Sequence, residues 1–108
     1  MGDESAFQAE ADKALAILLE RIDDALGDEL DVDLQGGVLT IDLDSGGQYV
    51  INKHAPNRQI WMSSPASGAS HFAYRAGAGW IATRSDDALY DMLARELTAA
   101  TGKPIAFA

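Results

Sequence analysis

The stretch YVINKHAPNRQIWMSS, Tyr49 to Ser64, holds two alternating runs on either side of a turn. Read with a period of two, Tyr49 and Ile51 fall on one side of the first run. Val50, Asn52 and His54 fall on the other. In the second run Ile60 and Met62 share a side, and Gln59, Trp61 and Ser63 point the opposite way. Two such runs around a short APN turn predict neighbouring antiparallel strands with one packed face and one wet face. The wet face then carries a tryptophan among amides and imidazoles, away from the core its own strand defines.

The same pattern extends in both directions. Upstream, LDVDLQ (30–35) turns Leu30, Val32 and Leu34 to one side and Asp31 and Asp33 to the other. Gly36-Gly37 is a two-residue hairpin signal. VLTIDLD (38–44) turns Leu39, Ile41 and Leu43 inward, and SGGQ closes the next turn. Downstream, a loop SPASGAS leads to HFAYR (71–75), with Phe72 and Tyr74 expected inward, then AGAG and a short WIAT (80–83). Six strands on near-adjacent hairpins predict an antiparallel meander.

An amphipathic helix precedes the strands over about residues 6–26. Phe7, Ala11, Leu15, Leu18, Leu19, Ile22 and Leu26 recur at three- and four-residue steps. Ser5 with Gln8 suits a capping box, and Gly27 suits a stop. A second helix is expected over about 86–101, with Ser85 as N-cap, Asp86 and Asp87 at its positive end, and a stripe of Leu89, Leu93 and Leu97. Gly102 and Pro104 end it. Each helix has one apolar side, and so does the sheet. The expected fold is α+β: a two-layer α/β sandwich, α-β6-α, with both terminal helices on one face of a six-stranded antiparallel sheet. Residues 1–108 form a single domain in this reading.

The chain has no cysteine, which excludes disulfides and thiolate metal sites. No apolar run approaches the roughly 18 residues of a membrane span. The start, MGDESAFQAE, is acidic and resembles neither a signal peptide nor an Arg-rich transit sequence, so a cytosolic or already mature protein is expected. The net charge is −9, and residues 1–33, with eleven acids against two bases, carry all of it. An acidic surface excludes nucleic acid as a natural partner and favours cations or a protein with a basic patch.

Two surfaces carry the candidate chemistry. Glu20, Asp23 and Asp24 lie together on the flank of the first helix, and Asp28, Glu29, Asp31 and Asp33 continue the ridge onto the first strand. Hard oxygen donors of this kind suit Fe, Mn, Ca and Mg ions, held weakly because no rigid loop is present. The alternative is a solvated face that keeps the protein soluble. The second surface is the wet sheet face, where Asn52, His54, Gln59, Trp61 and His71 compose a protein-binding patch. The alternative there is Trp61 acting as a local lid over its neighbours. Catalysis is poorly supported. His54 and His71 have no obvious nucleophile beside them; Ser63 and Ser64 could lie near, but no nucleophile elbow is present. Glu20 and Asp24 would sit as an acid–base pair on a convex ridge with no water-excluding pocket.

The block YVINKHAPNRQIWMSSPASGASHFAY resembles the frataxin family in its Y-x-I-N strand, P-N turn, Q-x-W strand and S-S-P-x-S-G loop. The GGVLT hairpin, the acidic first helix and the order of elements are similar too, so the resemblance covers the whole domain. It implies the same sandwich and a non-enzymatic role in iron–sulfur cluster assembly. The acidic ridge would bind iron weakly and dock on a basic surface of a cysteine desulfurase. The face with Asn52, Gln59 and Trp61 would contact the desulfurase–scaffold assembly. In mitochondrial members the family accelerates sulfur transfer, whereas bacterial members are described as an iron-linked brake. A ferroxidase or iron-storage role on the surface carboxylates is the alternative. A monomer is expected, with iron-driven oligomers as a further state and no membrane partner.

Two positions depart from the family pattern. His71 stands where many mitochondrial members carry Arg, which would make that contact pH-dependent. Leu19 stands where some bacterial members add an acid beside Glu20. The SSPASG loop is similar to the mitochondrial branch. A bacterial cytoplasmic protein is expected, with a processed protein of the mitochondrial matrix as the alternative.

Overall fold

In the computed structural model, which describes residues 2–107, the alternating runs form six strands: β1 (Leu30–Gln35), β2 (Val38–Leu43), β3 (Gln48–His54), β4 (Gln59–Ser64), β5 (Gly68–Arg75) and β6 (Gly79–Ala82). Each strand pairs antiparallel with the next, in the order β1-β2-β3-β4-β5-β6. The hairpin between β1 and β2 needs left-handed backbone at both turn residues. Gly36 (φ 58°) and Gly37 (φ 79°) supply it. The APN turn is a 3-10 turn, Ala55–Asn57, and Arg58 closes it with φ 51° while its N–H donates to the Ala55 carbonyl at 3.1 Å.

Helices α1 (Gly2–Leu26) and α2 (Leu89–Thr101) bury their apolar sides in one cluster with the sheet. α1 contributes Phe7, Ala11, Ala14, Leu15, Leu18, Ile22 and Leu26, and α2 contributes Leu89, Leu93 and Leu97. Leu39, Ile41, Tyr49, Ile51, Ile60, Met62 and Phe72 meet them from the sheet, every one at most 2% exposed. The expected α-β6-α sandwich is the observed fold. Its second sheet face is left uncovered by either helix.

A polar tie crosses this apolar layer. The Tyr49 hydroxyl donates to Glu96 Oε1 at 2.8 Å, and the Ser64 hydroxyl donates to the same oxygen at 2.6 Å. Ser64 Oγ also accepts from the N–H groups of Ala66 and Ser67, both at 3.0 Å, which shapes the β4–β5 turn. Burial, reinforced by the bond to Glu96, pushes the Tyr49 phenol up to about 12.

The structure departs from the sequence reading at four places. α1 begins at Gly2, so Ser5 lies inside the helix and forms no capping box with Gln8. Nothing in the first residues breaks a helix, and Glu4 suits its positive end. α2 begins at Leu89 with Ala88 at the N-cap position and no side-chain cap. Ser85 instead makes a local turn, accepting from the Asp87 N–H at 3.2 Å. The Asp87 carbonyl then takes the Ala82 N–H at 2.8 Å, and Ala88 bridges Ile81. Pairing with the sheet edge wins over an extra helical turn. Tyr74 is 44% exposed, not inward. Trp80 occupies that end of the core, in edge contact with Phe7 at 6.0 Å, and Tyr74 leans on its rim at 5.3 Å. Finally, β5 starts at Gly68, so the loop after β4 is shorter than expected.

No helix of the described residues is long and apolar enough to cross a membrane.

Candidate functional site

The uncovered sheet face is built by register. Asn52 on β3 opposes Trp61 on β4, and Trp61 opposes His71 on β5. His54 opposes Gln59, and Gln59 opposes Ala73. All five expected residues (Asn52, His54, Gln59, Trp61 and His71) are therefore on one face, three strands wide.

Their rings form a stack. His54 lies on one face of the Trp61 indole at 3.6 Å and 10° between planes, and His71 lies on the other at 4.2 Å and 12°. The indole N–H donates to Gln59 Oε1 at 2.8 Å, which fixes the ring's rotation. Asn52 Nδ2 donates to the Lys53 carbonyl at 3.2 Å. His54 Nδ1 is buried without a hydrogen-bond partner. Trp61 thus both covers its neighbours and remains half-exposed. Ser64 points the other way, into the Glu96 tie, and has no contact with this imidazole stack to support a nucleophile.

The other half of the sheet is acidic. Asp31 on β1 stands directly opposite Asp42 on β2, a pairing of like charges that opposes folding. Asp28, Glu29, Asp31, Asp42 and Asp44 line a shallow hollow of about 260 Å³ where α1 meets the β1–β2 end of the sheet. Glu29 is held there by Lys103, whose ammonium lies 2.7 Å from its carboxylate. Glu20, Asp23 and Asp24 are exposed on α1 and Asp33 is exposed opposite Thr40, outside that hollow. Sequence reasoning missed Asp42 and Asp44. The alternation that put Leu39, Ile41 and Leu43 inward already turned Asp42 outward beside Asp31.

Among the described residues no group of three or more His, Asp or Glu side chains is placed to hold a metal ion. The donor set is hard oxygen, suited to iron, but dispersed and solvated. Such a donor set offers no closed, rigid coordination sphere for a resident metal.

Comparison with known proteins locates the fold. The family model described as a frataxin-like domain matches residues 1–103. The chain is 44% identical over 108 residues to "Frataxin, mitochondrial" of Arabidopsis thaliana, and spans 57% of that protein and 94% of its own length. It is 41% identical over 103 residues to the iron-sulfur cluster assembly protein CyaY of Thioalkalivibrio sulfidiphilus, covering 93% of this chain and 94% of that protein. Frataxin from Psychromonas ingrahamii superposes with a TM-score of 0.87 at 26% identity, over 97% of both chains. Trimeric frataxin from Saccharomyces cerevisiae, complexed with ferrous iron, superposes with a TM-score of 0.75 at 41% identity, over 87% of both chains.

Proposed function

From the premise that the chain belongs to the frataxin family, we propose that it is an iron–sulfur cluster assembly protein that acts by docking rather than by catalysis. Its partners in this reading are a cysteine desulfurase and the scaffold on which the cluster is built, and iron is its cargo. A bacterial cytoplasm is the proposed setting, in line with the CyaY relative, and a mitochondrial matrix is the alternative in line with the plant one.

The observation that carries the reading is the division of one open sheet face. Asp31, Asp33 and Asp42 make its β1–β2 half acidic, whereas the outward side chains of β3–β5 include no carboxylate. The acidic half, continued by Glu20, Asp23, Asp24, Asp28 and Glu29, supplies long-range attraction to a basic surface. Such attraction weakens with salt beyond a Debye length of about 8 Å at physiological ionic strength. The aromatic half supplies short-range packing through Trp61. Iron on the carboxylates neutralises part of the ridge and so alters the attraction. This couples iron level to assembly.

Iron oxidation or storage is the second reading, favoured by the yeast relative complexed with ferrous iron. Saturable oxygen consumption abolished in Asp23→Asn/Asp24→Asn would establish it. The docking reading is tested by binding to the cognate cysteine desulfurase, with and without anaerobic Fe²⁺, at low and physiological salt. Salt-sensitive binding lost in Asp23→Lys/Asp24→Lys, with further loss in Trp61→Ala when scaffold is present, is the expected result. No binding by folded wild type under any condition overturns it.

A further inference from the structure

The stack determines which part of Trp61 a partner can reach. Neighbouring strands lie about 4.8 Å apart. Rings stacked across them at 3.6 and 4.2 Å stand upright on the sheet, with their edges toward solvent. Both faces of the indole are occupied, so a partner cannot slot an aromatic or aliphatic side chain against them. What it meets is a row of ring edges, the electropositive side of an aromatic quadrupole.

The donors along that row are unequal. The indole N–H is committed to Gln59, and one N–H of the Asn52 amide to the Lys53 carbonyl. His54 presents a buried Nδ1. The accessible end of the row is His71, which is exposed and lines a hollow of about 330 Å³ with Ser70, Thr83, Arg84 and Ser85. The Thr83 N–H donates to the His71 carbonyl at 2.8 Å, which sets the following Arg84 beside the imidazole strand. Arg84 is exposed and enters none of the ion pairs among the described residues. Two carboxylates belong to the same loop. Asp87 is already engaged by Ser85 at 3.1 Å and Arg95 at 3.4 Å, and Asp86 is exposed to solvent.

We propose that this end of the sheet face receives a carboxylate side chain of an extended, acidic partner segment, held by the Arg84 guanidinium and the His71 ring edge beside the Trp61 stack. A planar guanidinium without a counter-ion is suited to a carboxylate in a two-pronged contact. The protein then has opposite preferences at its two ends: basic surface on the acidic ridge, acidic segment at the Arg84 hollow. A partner has to present both, in the right order and spacing, and this fixes the orientation of docking. The inference deepens the docking reading above and rests on it for its biological partner.

The test needs no desulfurase, so its failure is separable from failure of that reading. A capped peptide Gly-Asp-Gly-Asp-Gly and its Lys counterpart are titrated into the ¹⁵N-labelled protein at physiological salt. The Asp peptide is expected to shift the amides of Ser70, His71, Thr83 and Arg84 and the Trp61 indole N–H, saturating in the millimolar range or above. Arg84→Gln, at an exposed position that leaves the core intact, is expected to weaken that binding about threefold. The Lys peptide is expected to shift Asp28–Asp33 instead. Equal shifts of the hollow by both peptides, no shift there by the Asp peptide, or unchanged affinity in Arg84→Gln each overturn the proposal.

Discussion

Replacing Tyr49 by Phe removes one hydroxyl from the tie between α2 and the sheet and leaves Ser64 on Glu96. The ring is 1% exposed, so its packing is retained and the change is confined to the hydrogen bond. A bond to a carboxylate contributes about 2 kcal/mol, and Tyr49→Phe should lose about that amount at pH 7. The phenol's shift makes this loss pH-dependent. Its pKa is about 12 in the folded protein against an ordinary 10.0. Between those values the unfolded chain releases the proton while the folded one keeps it, so wild-type stability falls as pH rises. Two pH units at about 1.4 kcal/mol each give a fall of about 3 kcal/mol at most. The contribution is fully present below pH 10 and gone above 12. In Tyr49→Phe that component is absent, and the gap between wild type and variant should close as pH climbs from 10 to 12. Urea unfolding followed by circular dichroism at pH 7, 9, 10.5 and 11.5 measures it. Other alkaline groups, including Tyr90 and Lys103, titrate in both proteins and cancel in the difference. A gap of constant size across that range refutes the raised phenol pKa that burial and the bond to Glu96 produce together.

Two further substitutions test the sheet. Gly36→Ala and Gly37→Ala should both destabilise because both need positive φ. At Gly37 the Cβ would also meet the flexible Lys53 side chain, at 2.8 Å from Cε, and displace its ammonium from Asp12, which adds a small further loss. Thermal unfolding should show a loss of about 1 kcal/mol for each variant, and no loss at either position would count against the left-handed turn. Asp31→Lys replaces a like-charge cross-strand pair with an opposite one, and should stabilise by about 0.5 kcal/mol while weakening desulfurase binding at low salt. Stabilisation without any loss of binding would separate this carboxylate from the docking surface.

The strands were readable because each buries one face only, so alternation between apolar and polar residues survives in every run. Both helices were readable by their leucine steps. Failures occurred where two local chemistries compete for the same residues. Ser85-Asp86-Asp87 suits a helix cap and a tight turn equally, and only the β6 edge decides between them. Tyr74 fits the inward pattern, yet Trp80 and Phe7 already fill that corner. At the candidate site the outward set was legible but its organisation was not. Stacking of His54 and His71 on Trp61 depends on register between three strands, which chain order does not reveal. Asp42 escapes a ridge that follows chain order along α1 and β1, because β2 folds back to set it opposite Asp31. The Glu96 tie joins residues 32 and 47 positions apart, beyond any local pattern.

The meander leaves β1 paired on one side only. Its other side carries backbone N–H and C=O groups that no strand among the described residues pairs. Charged residues on such an edge keep neighbours away, and Asp31 and Asp33 are exposed there. The carboxylates proposed above to attract cations are also the guard on this edge. A cation shared by Asp31 and Asp42 would lower the barrier to strand addition at the same moment. Colloidal stability and ion loading would then be opposed in this chain, and concentrated protein should tolerate divalent ions least where β1 is most fully neutralised.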